Sequence, residues 1–533
     1  MRTLLFILFL FLCTGSPAQN VQFGSESESD SYRNIPFFLG KMDGKIYTIR
    51  ITGYAASVYT QLMKSDGKAA ASAMILGVSK FSDDAPFAQQ RLYFSQSSRV
   101  YLEIYDEELK QLSSNEVILK PNPKADEIKP VQFEMAGQNL YAFAYEEDEN
   151  GPGNRLVAYT LSNRGELNFD GQVVASYNTE NKNVRGKRSH TFRIYPSPDR
   201  NHLLIVHSFL RQPKNGEDRK YLYFSLVDHN LNPVLQKDVD IKSEAEGMEL
   251  VNCKVSDAGD AAFLIKYKNP DSDGPEYLYD VYTWLQAQGK FSRFELGMDG
   301  YYTNDILFEF HNGHLIISGF FSGRSKSSAE GYFYSKMDVN TGKEVSGARE
   351  KFDKDFMELA LGKEKAEDAE YLTNLHMRKV FAMEDGGLSF VAEQYYIVYM
   401  NNSFTFNYGN TFLLRFDAAG KIIQQEKIEK KQRTSDDGGF FNSVCMVKNH
   451  EALYFIYNAN RNNPSDRMSN TNKASVYMTR IPFNGSAQET NLLFNGKEQE
   501  TVAVPKVFFQ ESPSSVIFYN YKRLDYKFAR VKF

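Results

Sequence analysis

The sequence predicts an all-β chain built from repeated four-stranded antiparallel units, and three observations predict it. Its 533 residues include 33 Tyr and 41 Phe but a single Trp, Trp284, and aromatic side chains favour strands. A short apolar strand, a tight polar turn and a strongly apolar strand recur along the chain. Successive copies lie about 60 residues apart, the length of four strands with their connections.

The first element is the N-terminus. Arg2 precedes the apolar run Leu4 to Leu12, and Ser16-Pro17-Ala18 follows. A basic start, a short apolar stretch and small residues before the cut describe a secretory signal peptide over 1–18, with cleavage expected after Ala18. Its removal takes one charged side chain, Arg2, and moves the formal charge from -5 to -6. Lipidation at Cys13 is disfavoured because Leu12 is bulky for such a site. No later run reaches the ~18 apolar residues of a membrane-spanning helix, so no transmembrane segment is expected after cleavage. Residues 19–34 are then either a tail rich in Ser and acid or a strand that closes the fold.

Hairpins follow in order, starting at Pro36, Phe133, Arg193, Asn252, Leu307, Lys379, Val444 and Lys506. Asp43-Gly44, Asn312-Gly313 and Asp385-Gly386 supply the turn chemistry. Leu140, Leu203, Phe263, Leu315, Leu388, Leu453 and Val516 hold equivalent places in seven of these copies. A second hairpin follows each of the first seven copies, as at 99–119, 220–241, 331–345 and 410–428. Runs such as Leu203 to Val206 are apolar at every position, which suits strands covered on both faces. The prediction is a single eight-bladed β-propeller over 35–533, with seven blades the alternative if the weaker first unit is not a blade. The last unit stops after three strands, and Val21-Gln22-Phe23 is the candidate fourth. An insertion at 53–98 and a helical one at about 350–372, carrying Phe352, Phe356, Leu359 and Leu361, interrupt the pattern. A transmembrane β-barrel is the structural rival, but barrel strands alternate lipid-facing and lumen-facing residues, and these runs do not.

The two Cys of the body, Cys253 and Cys445, hold equivalent positions three blades apart. A disulfide needs Cα atoms within ~7 Å, so both are expected as free, buried thiols.

Composition narrows the function classes. Hydrophobic residues make up 42% and charged residues 24% of the chain, with 62 basic against 67 acidic side chains. These are ordinary values for a globular protein, and the near balance argues against a nucleic-acid partner. There is no Gly-x-Ser-x-Gly elbow, His-Glu-x-x-His, Cys-x-x-Cys or phosphate-binding Gly loop. Connections after the first and third strands of each unit are short, and those after the second and fourth are long. One face therefore gathers the long loops, where binding usually resides.

Candidate residues follow from that face. Tyr395, Tyr396, Tyr399, Phe404, Phe406 and Tyr408 form an aromatic hairpin between the second and third strands of blade six. Such rings stack on a glycan or grip a partner's apolar groups, unless they pack over a neighbouring loop. Asp271 and Asp273 alternate before Gly274 as in a calcium loop, but the downstream bidentate Glu is missing and an acidic turn is the plainer reading. Calcium is the one cofactor suggested. His311 and His314 flank a hairpin tip with no further ligand spaced to join them. Lys430 to Phe441, with Asp436 and Asp437, reads as a solvated turn.

The segments at 386–396, 410–441 and 453–463 resemble secreted proteins of Bacteroidota that have no assigned activity, and the strand at 99–110 is similar to an early strand of theirs. Phe440 and Phe441 stand where those proteins carry Tyr or Ser. The resemblance implies a Gram-negative envelope setting, in the periplasm or at the cell surface, and carries over no catalytic residues. The resulting expectation is a non-catalytic binding or scaffold protein whose long-loop face engages an envelope protein or polysaccharide. A propeller hydrolase or lyase acting on glycans or peptides is the alternative, and an outer-membrane β-barrel the second.

Overall fold

A computed structural model describes residues 21–28, 36–51, 99–122, 128, 130–147, 153–178, 192–211, 219–241, 248–269, 271, 274–298, 300–400, 403–435, 437, 439–468, 474–522 and 525–533. The signal-peptide stretch and the 53–98 insertion fall outside these. Eight antiparallel sheets follow one another along the chain and form a ring of eight blades. Their four strands run in sequence order, as in blade one with Pro36–Met42, Lys45–Ile51, Val100–Tyr105 and Gln111–Glu116. First strands are innermost and meet one another from blade one through blade six and between blades seven and eight, and that of blade eight meets that of blade one. Fourth strands lie outside and are the more exposed, with strict alternation in Gln111–Glu116.

The apolar runs explain the ring. Eight hydrophobic clusters each bridge two successive blades, such as Leu203, Ile205 and Phe143 between blades two and three, and Leu204, Val206 and Phe263 between blades three and four. Neighbouring residues of a strand point to opposite faces, so both faces of each central strand are apolar because both are covered. Seven of the anchor residues named above lie in second strands. Among the described residues the blades are thus eight separate sheets rather than one closed sheet, which overturns the β-barrel alternative.

Closure of the ring comes from the N-terminus. Val21–Phe23 pairs antiparallel with Ala529–Val531 and is the fourth strand of blade eight, while Ser27 and Glu28 pair with Tyr526 and Asp525. A buried polar knot fastens the seam between blades one and eight. Glu103 accepts from Arg50 Nε at 2.7 Å, from Tyr105 Oη at 3.1 Å and from Tyr526 Oη, and Ser27 Oγ lies 3.3 Å from Tyr105 Oη.

Between blades five and six lie helix α1 (Lys354–Leu361) and the short α2 (Lys363–Ala366). Asp353 caps α1 by accepting from Phe356 N at 2.7 Å. Phe356 and Met357 bury against both blades. Cys253 and Cys445 form no disulfide and are buried in blades four and seven.

Candidate functional site

Blade six departs from its neighbours on the long-loop face. Its second and third strands, Leu388–Met400 and Ser403–Phe416, have 13 and 14 residues. The base of this hairpin pairs with the first strand, Leu375–Ala382, and the fourth, Ile422–Ile428. Its upper part continues beyond both. There Thr405 to Tyr408 pair with Lys431–Ser435, which pairs in parallel with Arg467–Met468 from blade seven's loop. The result is a four-stranded flange standing above the ring.

Cross-strand register divides the six aromatic residues between its faces. Tyr395 opposes Tyr408 and Tyr399 opposes Phe404, whereas Tyr396 opposes Asn407. On the inward face Tyr395, Phe404, Phe406 and Tyr408 are buried and form a small core of their own. Tyr395 stacks on Tyr408 at 5.2 Å between ring centroids, and Tyr399 meets Phe404 at 4.6 Å. The hairpin tip and outward face remain exposed: Tyr396 is 47%, Tyr399 48% and Met400 65% accessible. Four of the six rings thus build the flange, and two present surface.

The flange stands on a buried polar network that sequence reading missed. Glu393, at a bulge in the second strand, takes Lys430 Nζ at 2.5 Å and Ser443 Oγ at 2.7 Å, with Arg378 Nε at 3.5 Å. Burial opposes its charge, but Lys430 and Arg378 outweigh it and hold its carboxyl below the ordinary range. Gln432 bonds Ser443 N and O and Asn458 O; Asn458 in turn bonds Phe441 O at 2.8 Å and Ala503 O at 2.7 Å. Lys506 of blade eight donates to Tyr408 Oη and Gly439 O, each at 2.9 Å. Three blades therefore anchor one hairpin. The segment from Lys430 is consequently not a solvated turn: Lys430 and Gln432 are buried, and Lys431–Ser435 is a strand. Asp437 is half-buried, accepting from Thr434 Oγ1 and Gly439 N, and desolvation pushes its carboxyl up. Asp436 lies outside the described residues. The only sequence signal for this network was the polar run itself, since charged residues rarely bury unless paired.

A second group lies where the inner strands of blades five and six start. Asp305, at a bulge with φ of 52°, accepts from His376 Nδ1 at 3.0 Å and from Met377 N at 3.3 Å. His376 packs on Tyr395 at 4.4 Å. Both members of the pair are part-exposed. No motif flagged them, because they come from strands 71 residues apart.

The remaining candidates are not brought together. Asp271 is exposed and its N–H bonds Asn269 Oδ1, while Asp273 lies outside the described residues. Among the described residues no cluster of three or more His, Cys, Asp or Glu is arranged to hold a metal. His311 and His314 sit at a tight turn where Asn312 has φ of 46°, and each contacts Asn312.

No family model matches the chain, and no curated protein does. Solved structures similar to it include the WD40 domain of SCAP from fission yeast, at 8% identity over 82% of this chain and 92% of that one, with a TM-score of 0.36. The β-propeller domain of the Trilobed protease from Pyrococcus furiosus matches at 9% identity over 88% and 97%, with a TM-score of 0.34. Prolyl oligopeptidase B from Galerina marginata matches at 10% identity over 88% of this chain and 59% of that one, with a TM-score of 0.33. The class of the protein, an eight-bladed β-propeller, rests on its own strand pairing. Among the described residues no helix is long and apolar enough to cross a membrane.

Proposed function

We propose that this chain is an exported binding or scaffold protein of a bacterial envelope that engages its partner through the blade-six flange. The observation carrying this reading is the division of labour in the hairpin. Four rings are spent on holding it rigid, and Tyr396, Tyr399 and Met400 are held out on a framework anchored to three blades. Exposed aromatic residues on a rigid support give contact area at low entropic cost. The signal-peptide pattern and the resemblance to secreted Bacteroidota proteins support the envelope setting, in the periplasm or at the surface.

The test is crosslinking and affinity purification from the native envelope. The double variant Tyr396→Ala, Tyr399→Ala should lose co-purification while its unfolding free energy stays within about 0.5 kcal/mol of wild type, as exposed substitutions do. Unchanged capture would overturn the assignment of the flange.

The Asp305–His376 pair favours a second reading, a hydrolase or lyase acting on glycans or peptides. A carboxylate that orients an imidazole at Nδ1 is an arrangement that serves general-base chemistry at Nε2. Turnover on a polysaccharide and peptide panel, lost in His376→Ala, would support it. An inert wild-type chain across a broad panel would remove it.

A further inference from the structure

The outward face of the flange carries a pattern that the aromatic hairpin alone does not explain. Buried Tyr408 opposes buried Gln432, and Gln432 opposes buried Met468. The alternate positions Arg433, Lys431 and Arg467 therefore turn outwards, and all three are exposed. Asn407 opposes Tyr396 on one side and Arg433 on the other. A single transverse row thus presents a phenol ring, an amide and a guanidinium, with Lys431 and Arg467 paired beside it. Glu429 lies at the foot of this row and is occupied by Lys427 at 3.0 Å.

We propose that this face binds an acidic polysaccharide, a chain of sugar rings bearing carboxylates. The inference rests on the binding reading above and names its partner. Strands lie about 4.8 Å apart, so the row from Tyr396 to Arg433 spans about 10 Å, enough for two adjoining sugar rings. The apolar face of one ring stacks on Tyr396, its hydroxyls meet Asn407, and the carboxylate of the next takes Arg433 in bidentate fashion. Lys431 and Arg467 extend the positive strip to a following carboxylate. A neutral glycan would leave these three cations without use. The extent of the face decides against a protein partner. Three strands of about five residues and the two-residue Arg467–Met468 cover at most roughly 240 Å², well short of the roughly 800 Å² per partner of a stable protein interface.

The test uses the full chain, with polygalacturonate as the probe and its methyl ester as the uncharged control, read by affinity gel retardation and titration calorimetry. Polygalacturonate should bind, and affinity should fall with added salt. The methyl ester and the variant Arg433→Gln, Arg467→Gln should each bind about tenfold more weakly, with the variant's unfolding midpoint unchanged. Arg433→Lys should recover part of the loss by restoring charge without the fork. Tyr396→Ala should weaken binding while leaving its salt dependence in place. Equal affinity for ester and acid, or none for either, overturns the proposal. Binding of polyglutamate as tight as that of polygalacturonate overturns it in favour of an acidic protein segment. Failure here with capture from the envelope still dependent on Tyr396 and Tyr399 leaves the binding reading standing, whereas loss of both removes the two together.

Discussion

Glu393 shows how one residue's chemistry supports the candidate site. Its side chain is fully buried, as is that of Lys430, and Arg378 is 5% accessible. A buried carboxylate is tolerable only with such partners, and removing one member of the group strands the others. Glu393→Gln should therefore destabilise the chain by about 3–5 kcal/mol at pH 7, measured by urea unfolding. Because its folded pKa lies below the ordinary value of 4.5, the ionised carboxylate stabilises the fold fully above that value. The contribution is lost as pH falls through the depressed folded value. The urea midpoint of the wild type should accordingly drop on acidification below about pH 5 more steeply than that of Glu393→Gln. Parallel pH profiles would show that the carboxylate is not held ionised by its partners. Cys253 offers a separate residue-scale check. Burial pushes its thiol up to about 12, so it should react with a thiol reagent at neutral pH only after denaturation, as should Cys445. Modification of either in the native state would contradict the packing of blades four and seven.

At the scale of elements, the closing strand and the flange are both strands completed by distant sequence. Phe23 packs edge-on against Phe494 at 5.0 Å and beneath Lys527 Nζ at 4.6 Å. Phe23→Ala should cost about 1–2 kcal/mol from lost burial and ring contact, read from the denaturation midpoint. Removing residues 21–28 should cost considerably more, because it also strips Ser27 from the seam and opens the edge of Asp525–Lys532. An open edge recruits other strands, so that truncated chain should self-associate with rising concentration in sedimentation. An unchanged midpoint in the truncated chain would show that the ring closes without its N-terminal strand. The flange depends on distant sequence in the same way, since Lys431–Ser435 and Arg467–Met468 reach the hairpin from two different connections. Those strands were not visible in sequence. Lys430 to Phe441 carries the charge and glycine content of a turn, and only pairing with Thr405 to Tyr408 makes part of it extended.

For the whole molecule, the blade count, the strand order within each blade and the face that gathers long loops were all legible, because each follows from local pattern. Turn dipeptides mark hairpins, and runs such as Leu203 to Val206 mark strands with two covered faces. A pairing that joins residue 21 to residue 531 leaves only a faint trace, since three residues of strand-like sequence carry little information. Of the six aromatic site residues, sequence identified the hairpin but not that Tyr396 alone lies on the face opposite the other five. That division depends on the bulge between Glu393 and Tyr395, which resets the alternation and is set by what packs on either side.

Sequence by itself thus determined an aromatic-rich β-propeller with one elaborated face. Strand periodicity and turn chemistry act over a few residues and repeat eight times. Tertiary structure decided what the excess of Tyr and Phe does in blade six. It buried four rings as the core of a flange, exposed two, and set a row of cations beside one of them, Tyr396, on the outward face. The physical reason is that burial, charge pairing and strand register there depend on residues from three blades that no local pattern connects.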